Sequence, residues 1–147
     1  MELTSKQKGN LTELQCITYL YQLGYKCSIP YGENSRYDFI VDIDGILIRV
    51  QVKTSSKKDE EGNAIEFSCR SSRVNSQGTI SKRYTKEEID YFATFYNGKC
   101  YLIPQSECST YKTLRFTIPK NNVVQGISFA KDYEAEIQIE KIKGGSK

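Results

Sequence analysis

RYDFIVDIDGILIRVQVK, running from Arg36 to Lys53, is the stretch whose reading decides the fold. Asp44-Gly45 stands between two alternating runs, and an Asp-Gly pair so flanked is the strongest short-range signal for a hairpin with a two-residue turn. Such a turn fixes the register. With Ile43 opposite Ile46, Val41 falls opposite Ile48, Phe39 opposite Val50 and Tyr37 opposite Val52, so one face of the ribbon is apolar. Because side chains alternate along a strand, the other face carries Arg36, Asp38, Ile40 and Asp42 against Lys53, Gln51, Arg49 and Leu47. Asp38 is then expected directly across from Gln51, with Lys53 as its diagonal neighbour.

A carboxylate, an amide oxygen and an ammonium on one face make a set that holds a divalent metal and a water. Hard cations such as Mg²⁺ take oxygen ligands, keep several waters and bind through one or two carboxylates plus substrate phosphates. A water activated there beside Lys53 is a nucleophile for a phosphodiester. Geometry alone leaves the plainer alternative open, that these three side chains are the solvated face of a two-stranded ribbon.

Composition narrows the chemistry. The chain has 147 residues, 38% of them hydrophobic, which suits one domain with a real core, and a single domain over residues 1–147 is expected. It has no histidine, which excludes a Ser-His-Asp triad and any scheme with imidazole as general base. Five cysteines without CxxC spacing, and no histidine beside them, argue against both a disulfide framework and a structural zinc site. Cys16, Cys27, Cys69, Cys100 and Cys108 read as small buried or half-buried side chains. With no long apolar run and no signal-peptide pattern, the expectation is a soluble, cytoplasmic protein with no membrane partner.

Residues from about Ser5 to Leu23 read as an amphipathic helix, with Leu14, Ile17, Leu20 and Tyr21 as its apolar stripe and Gly24 as the residue that ends it. Lys6, Gly9 and Glu13 share a separate stripe. Glycine inside a helix costs about 1 kcal/mol against alanine, so Gly9 suggests close approach by another backbone, including that of a nucleic acid. Tyr25 to Ile29 reads as a strand, and Ala64 to Arg70 as a strand beside the hairpin. Thr85 and Glu88 fit a capping box for one short helical turn, and Tyr91 to Tyr96 pairs with Lys99 to Pro104 about Asn97-Gly98. Residues 113–118 alternate, placing Arg115 on an exposed face, and Gly144 to Lys147 reads as a flexible tail.

A net charge of +3 decides little by itself, but its placement is uneven. No acid lies between Glu66 and Glu87, where Arg70, Arg73, Lys82, Arg83 and Lys86 fall. None lies between Glu107 and Asp132, where Lys112, Arg115, Lys120 and Lys131 fall. The first stretch is too polar for the core and reads as an exposed basic loop or ribbon at about 70–84, with Asn75 and Gln77 able to meet base edges and phosphates. Tyr84 and Tyr111 read as candidates to pack on sugars or splayed bases. The candidate DNA contacts from these stretches are Arg70, Arg73, Asn75, Gln77, Lys82, Arg83, Arg115 and Lys120; Gly9, as a point of close approach, and Lys8 beside it join them.

Asp38 followed by Gln51-Val52-Lys53 after a short hairpin resembles the PD-(D/E)XK nuclease superfamily. The wider pattern resembles its small intron-encoded homing endonucleases: Lys8-Gly9, Glu13, Leu23-Gly24-Tyr25, Pro30, Tyr37-Asp38, Gln51-Val52-Lys53-Thr54, then Glu88 to Phe92, Tyr101 to Pro104 and Pro119 to Asn122. The chain departs from the superfamily in having Ser35-Arg36-Tyr37 where a Pro-Asp step is common, and a neutral Gln51 where an acid is usual. The resemblance implies an α/β restriction-endonuclease-like core, a mixed β-sheet with flanking helices. It implies a Mg²⁺-dependent double-strand DNA endonuclease, with Mn²⁺ able to substitute, acting as a homo-oligomer, dimer or tetramer. Asp38, the Gln51 side chain and the Val52 carbonyl are its implied metal ligands, Lys53 its catalytic ammonium and Glu13 its accessory carboxylate. A Holliday-junction resolvase and a non-catalytic DNA-binding module of the same fold are the alternative readings.

Overall fold

The computed structural model describes residues 1–145. Helix α1 (Ser5–Gln22) starts at Thr4, whose side chain accepts the Gln7 N–H while the Gln7 side chain accepts the Thr4 N–H, a closed capping box. Gly24, at φ +96°, provides the left-handed turn that ends it. The buried stripe is Thr12, Cys16 and Leu20, spaced by four. This corrects the expected one, since Leu14 is 61% and Tyr21 65% exposed. Small side chains at 12 and 16 let the helix lie close to the sheet, and there the Thr12 hydroxyl bonds the Lys8 carbonyl and meets the Thr54 hydroxyl at 3.1 Å.

Strand β1 (Lys26–Ser28) pairs antiparallel with β2 (Phe39–Ile43), which turns through Asp44-Gly45 into β3 (Ile46–Val52). The register is the expected one, Ile43 with Ile46 through Phe39 with Val50. Asp44 and Gly45 both have positive φ, as a type I′ turn requires, and Asp42 accepts the Gly45 N–H at 2.7 Å. The chain then leaves this sheet through β4 (Ser56–Lys57), β5 (Ala64–Ser68), β6 (Arg70–Asn75) and β7 (Gly78–Arg83). It returns as β8 (Tyr91–Tyr96), parallel to β3, and β9 (Lys99–Pro104), antiparallel to β8. The result is a mixed five-stranded sheet of order β1-β2-β3-β8-β9.

Period-2 alternation gives this sheet two buried faces. Phe39, Val41, Ile48, Val50, Ala93, Cys100 and Leu102 pack with Cys16 and Leu20 of α1 and with Ile139 of the C-terminal helix α2 (Ala135–Gly145). Phe92, Tyr101 and Ile103 point the other way, onto Ile65, Phe67 and Leu114. Those belong to a second, three-stranded sheet of order β10-β5-β4, with β10 spanning Tyr111–Arg115. Strand β5 therefore does not neighbour the hairpin as expected; it pairs with β10 and β4 across the core. Alternation past β10 also fails, because Ile118 is 62% exposed. Helix α2 takes in Gly144 and Gly145, expected as tail, while the rest of that tail, Ser146 and Lys147, lies outside the described residues. The cysteines are free and buried, Cys27 half-buried.

Candidate active site

The β2–β3 ladder runs regularly only as far as Phe39 with Val50. Beyond it, Asp38 donates its N–H to the Val50 carbonyl at 2.8 Å, and its Oδ2 accepts the Val52 N–H at 2.8 Å. The Asp38 carboxylate thus takes the place of a ladder carbonyl. The expected facing pair of Asp38 and Gln51 is replaced by this wrap, which carries the carboxylate to the end of β3 where Gln51, Val52 and Lys53 emerge. The Lys53 N–H bonds the Ala93 carbonyl at 2.8 Å, fixing its backbone against β8.

Burial pushes the Asp38 carboxyl up, against the opposing pull of the Val52 N–H and of Lys53. Glu13, half-buried on α1, is pushed up by burial and then by the charge of Asp38. Burial lowers Lys53, opposed by Asp38 and Cys69 and reinforced by Arg36. These mutual effects bring Glu13, Asp38 and Lys53 into one neighbourhood in which each charge is disfavoured. Perturbation by burial together with specific charges makes these three residues candidates for a functional site.

Among the described residues no cluster of three or more His, Cys, Asp or Glu is arranged to hold a metal. An all-acid cage is thus not what this site offers. It offers the carboxylates of Glu13 and Asp38, and the neutral oxygens of the Gln51 amide and the Val52 carbonyl; the Gln51 Nε2 lies 3.3 Å from that carbonyl oxygen. Oδ1 of Asp38 accepts no hydrogen bond among the described residues. An all-oxygen set with few charges fits a hard cation that keeps several of its waters.

The basic stretch is a two-stranded ribbon, β6 paired with β7 from Arg70–Arg83 at its root to Asn75–Gly78 at its tip. Its root meets the candidate site: the Lys53 Nζ donates to the Arg70 carbonyl at 2.9 Å and lies 5.1 Å from the Tyr84 ring centre. Asn75, Gln77, Lys82 and Arg83 are exposed, and Arg70 is half-buried with its Nε on the Ser81 hydroxyl at 2.7 Å. Arg73 faces Ile80 in the ladder; its side chain lies outside what is described. Lys8 is exposed on α1, and a Cβ added at Gly9 would meet nothing within 4 Å, so the expected close approach is not made by another element among the described residues. Lys120 is exposed. Arg115 is half-buried, bonds the Thr117 carbonyl at 3.0 Å and lines clefts with Tyr101 and Glu134 and with Lys58 and Asp59, apart from Lys53.

Two residues near the metal-ligand candidates take parts that the sequence does not assign them. Tyr84 is 7% exposed and packs edge-on against Phe92, which corrects its expected role as a surface for bases. Arg36 lies 3.9 Å above the Tyr84 ring centre and bonds Glu88, Ser71 and the Arg83 carbonyl. Its position two before Asp38, on the same face by strand period, was the available signal. The single turn expected at Thr85 forms, with the Glu88 and Ile89 N–H groups on the Thr85 carbonyl and the Glu88 carboxylate on the Thr85 N–H.

The family model described as PD-(D/E)XK endonuclease matches residues 3–136. A solved structure described as that of a bacterial homing endonuclease, I-Ssp6803I, is similar with a TM-score of 0.78 at 23% identity, over 99% of this chain and 98% of that one. No curated protein matches the chain.

Proposed function

We propose, from the premise that this chain belongs to the PD-(D/E)XK endonuclease family, that it is a single-domain, Mg²⁺-dependent, sequence-specific double-strand DNA endonuclease of the homing type, working as a homo-oligomer. The observation that carries the reading is that Asp38 wraps onto the Val52 N–H beside Lys53, whose ammonium holds the root of an exposed basic ribbon. The likeness to a bacterial homing endonuclease over nearly the whole of both chains supports it.

Asp38, the Gln51 amide oxygen and the Val52 carbonyl would hold the ion, with Glu13 as the accessory carboxylate. When bound, Mg²⁺ supplies Lewis-acid stabilisation of the charge that develops on the phosphoryl oxygens. Lys53, its ammonium lowered by burial, orients the attacking water and exchanges a proton at Nζ. It also offers positive charge to the transition state, where it counts more than in the bound duplex. The ribbon's cations neutralise phosphates and hold the duplex, and Asn75 and Gln77 at its tip suit base edges.

The test is Lys53→Ala with Mg²⁺ and a duplex library selected for sites the parent cuts. Cleavage should fall by a factor of at least about 10² to 10⁴, the range expected for a lost acid–base or electrostatic group, while duplex affinity changes little. A variant cutting near the parent rate would refute the assignment. Cleavage of four-way junctions in preference to linear duplex would replace sequence readout with shape readout.

A further inference from the structure

The ribbon is a lever with a small base. Strand β7 is exposed along its whole length and the pair has no third strand, so it depends on whatever holds its root. One guanidinium there reaches both strands. Arg36 gives its Nε to Glu88 Oε2, its Nη1 to the Ser71 hydroxyl and its Nη2 to the Arg83 carbonyl, each at 2.9 Å, with its Cζ 3.9 Å over the Tyr84 ring centre. Ser71 is at the start of β6 and Arg83 at the end of β7, so both strands of the ribbon are bound to the residue two before Asp38. Lys53 is bracketed by the same ends, its ammonium on the Arg70 carbonyl and beside the Tyr84 ring.

We propose that Arg36 is a positioning residue, a clamp through which engagement of the ribbon by duplex DNA sets the position of the Lys53 ammonium. The inference rests on the reading of Lys53 as the catalytic ammonium. Ser72 and Lys82 of the ribbon line a cleft of about 380 Å³ with Ser35 and Arg36, so a DNA phosphate drawn to Lys82 presses on the clamp itself. Only a planar fork makes three bonds in different directions while stacking on a ring; a lysine keeps the charge but not the tie.

Arg36→Gln, Arg36→Lys and the parent are compared in three measurements: duplex affinity without divalent metal, single-turnover cleavage at saturating enzyme with Mg²⁺, and acylation of Lys53 by an amine-reactive ester read by mass spectrometry. A misplaced group at the reacting centre costs on the order of 10²-fold in rate. Both variants should therefore cleave about 10²-fold slower with affinity within about threefold of the parent, and Lys53 should acylate several-fold faster, with no rescue by lysine. Equal losses of affinity and rate with unchanged acylation would make Arg36 an ordinary DNA contact, and parent-like cleavage would overturn the clamp outright. If Arg36→Gln does not fold, Glu88→Gln and Ser71→Ala each remove one corner and must show the same split in milder form. Failure of the parent to cleave any duplex would sink the nuclease reading alone, because acylation still decides the clamp. Duplex must change the Lys53 acylation rate in the parent and not in Arg36→Gln, and the absence of that contrast overturns it.

Discussion

Burial raises the Asp38 carboxyl in spite of the Val52 N–H and Lys53, and burial and then the charge of Asp38 raise Glu13. A cation bound among these oxygens would reverse the penalty on both carboxylates, and its affinity would then follow the number of acids there. Glu13→Gln should move the Mg²⁺ midpoint for cleavage up by about 10-fold or more, the scale of loss for groups supporting a metal site, with the rate recovered at high Mg²⁺. Gln51→Glu adds an acid and should move the midpoint down. Midpoints that shift together, or a Glu13→Gln rate that no Mg²⁺ concentration restores, would remove Glu13 from the metal site. The sequence made Asp38, Gln51 and Lys53 legible because a two-residue turn leaves one register. It did not reveal how Asp38 wraps onto the Val52 N–H, because the end of a ladder is set by side-chain hydrogen bonds that period-2 reasoning does not contain.

At the scale of elements, the ribbon and α1 carry the DNA reading, and each offers a separate test. Lys82 and Arg83 are exposed, and it is the Arg83 carbonyl, not its side chain, that Arg36 holds. Replacing both side chains by alanine therefore spares the root. Each phosphate contact contributes about 0.9 to the slope of log affinity against log salt, so the double variant should flatten that slope by about 1.8. An unchanged slope would make the ribbon a solvated surface. Gly9 is different: alanine fits there without a contact inside 4 Å. Gly9→Ala should raise stability by up to about 1 kcal/mol, a few degrees in Tm, while weakening duplex affinity if DNA is the backbone that comes close. Greater stability with undiminished affinity would take Gly9 out of the interface. Turn chemistry made both hairpins readable in the sequence, whereas α2 escaped notice because Ile137 and Ile139 alternate like a strand. Only contact with the sheet shows that the buried set is Ala135, Gln138 and Ile139. The stripe of α1 misled for the same reason, since larger Leu14 and Tyr21 were given to the core over Thr12 and Cys16.

For the whole molecule, the decisive relation is that one chain carries one site, while a duplex has two strands of opposite polarity. A single site must cut, release and rebind in the reverse sense, whereas two copies related by a twofold axis present both sites at once. The part of the fold least legible in the sequence bears on this, since placing β4, β5 and β10 on the far face of the main sheet needs long-range pairings that local pattern does not encode. That second sheet packs Ile65, Phe67 and Leu114 against Phe92, Tyr101 and Ile103 of the main sheet. The expected behaviour follows from mixing subunits. Parent enzyme on a supercoiled plasmid bearing its site should give linear product with little nicked circle. Parent co-refolded with an equal amount of Lys53→Ala should give mixed oligomers with one working site, and nicked circles should then accumulate and linearise slowly. An independent monomer behaves otherwise: the inactive chains only dilute it, the product pattern stays that of the parent, and the parent itself passes through a persistent nicked intermediate. Observing that second pattern would refute the oligomer and leave the chemistry of Asp38, Gln51 and Lys53 untouched.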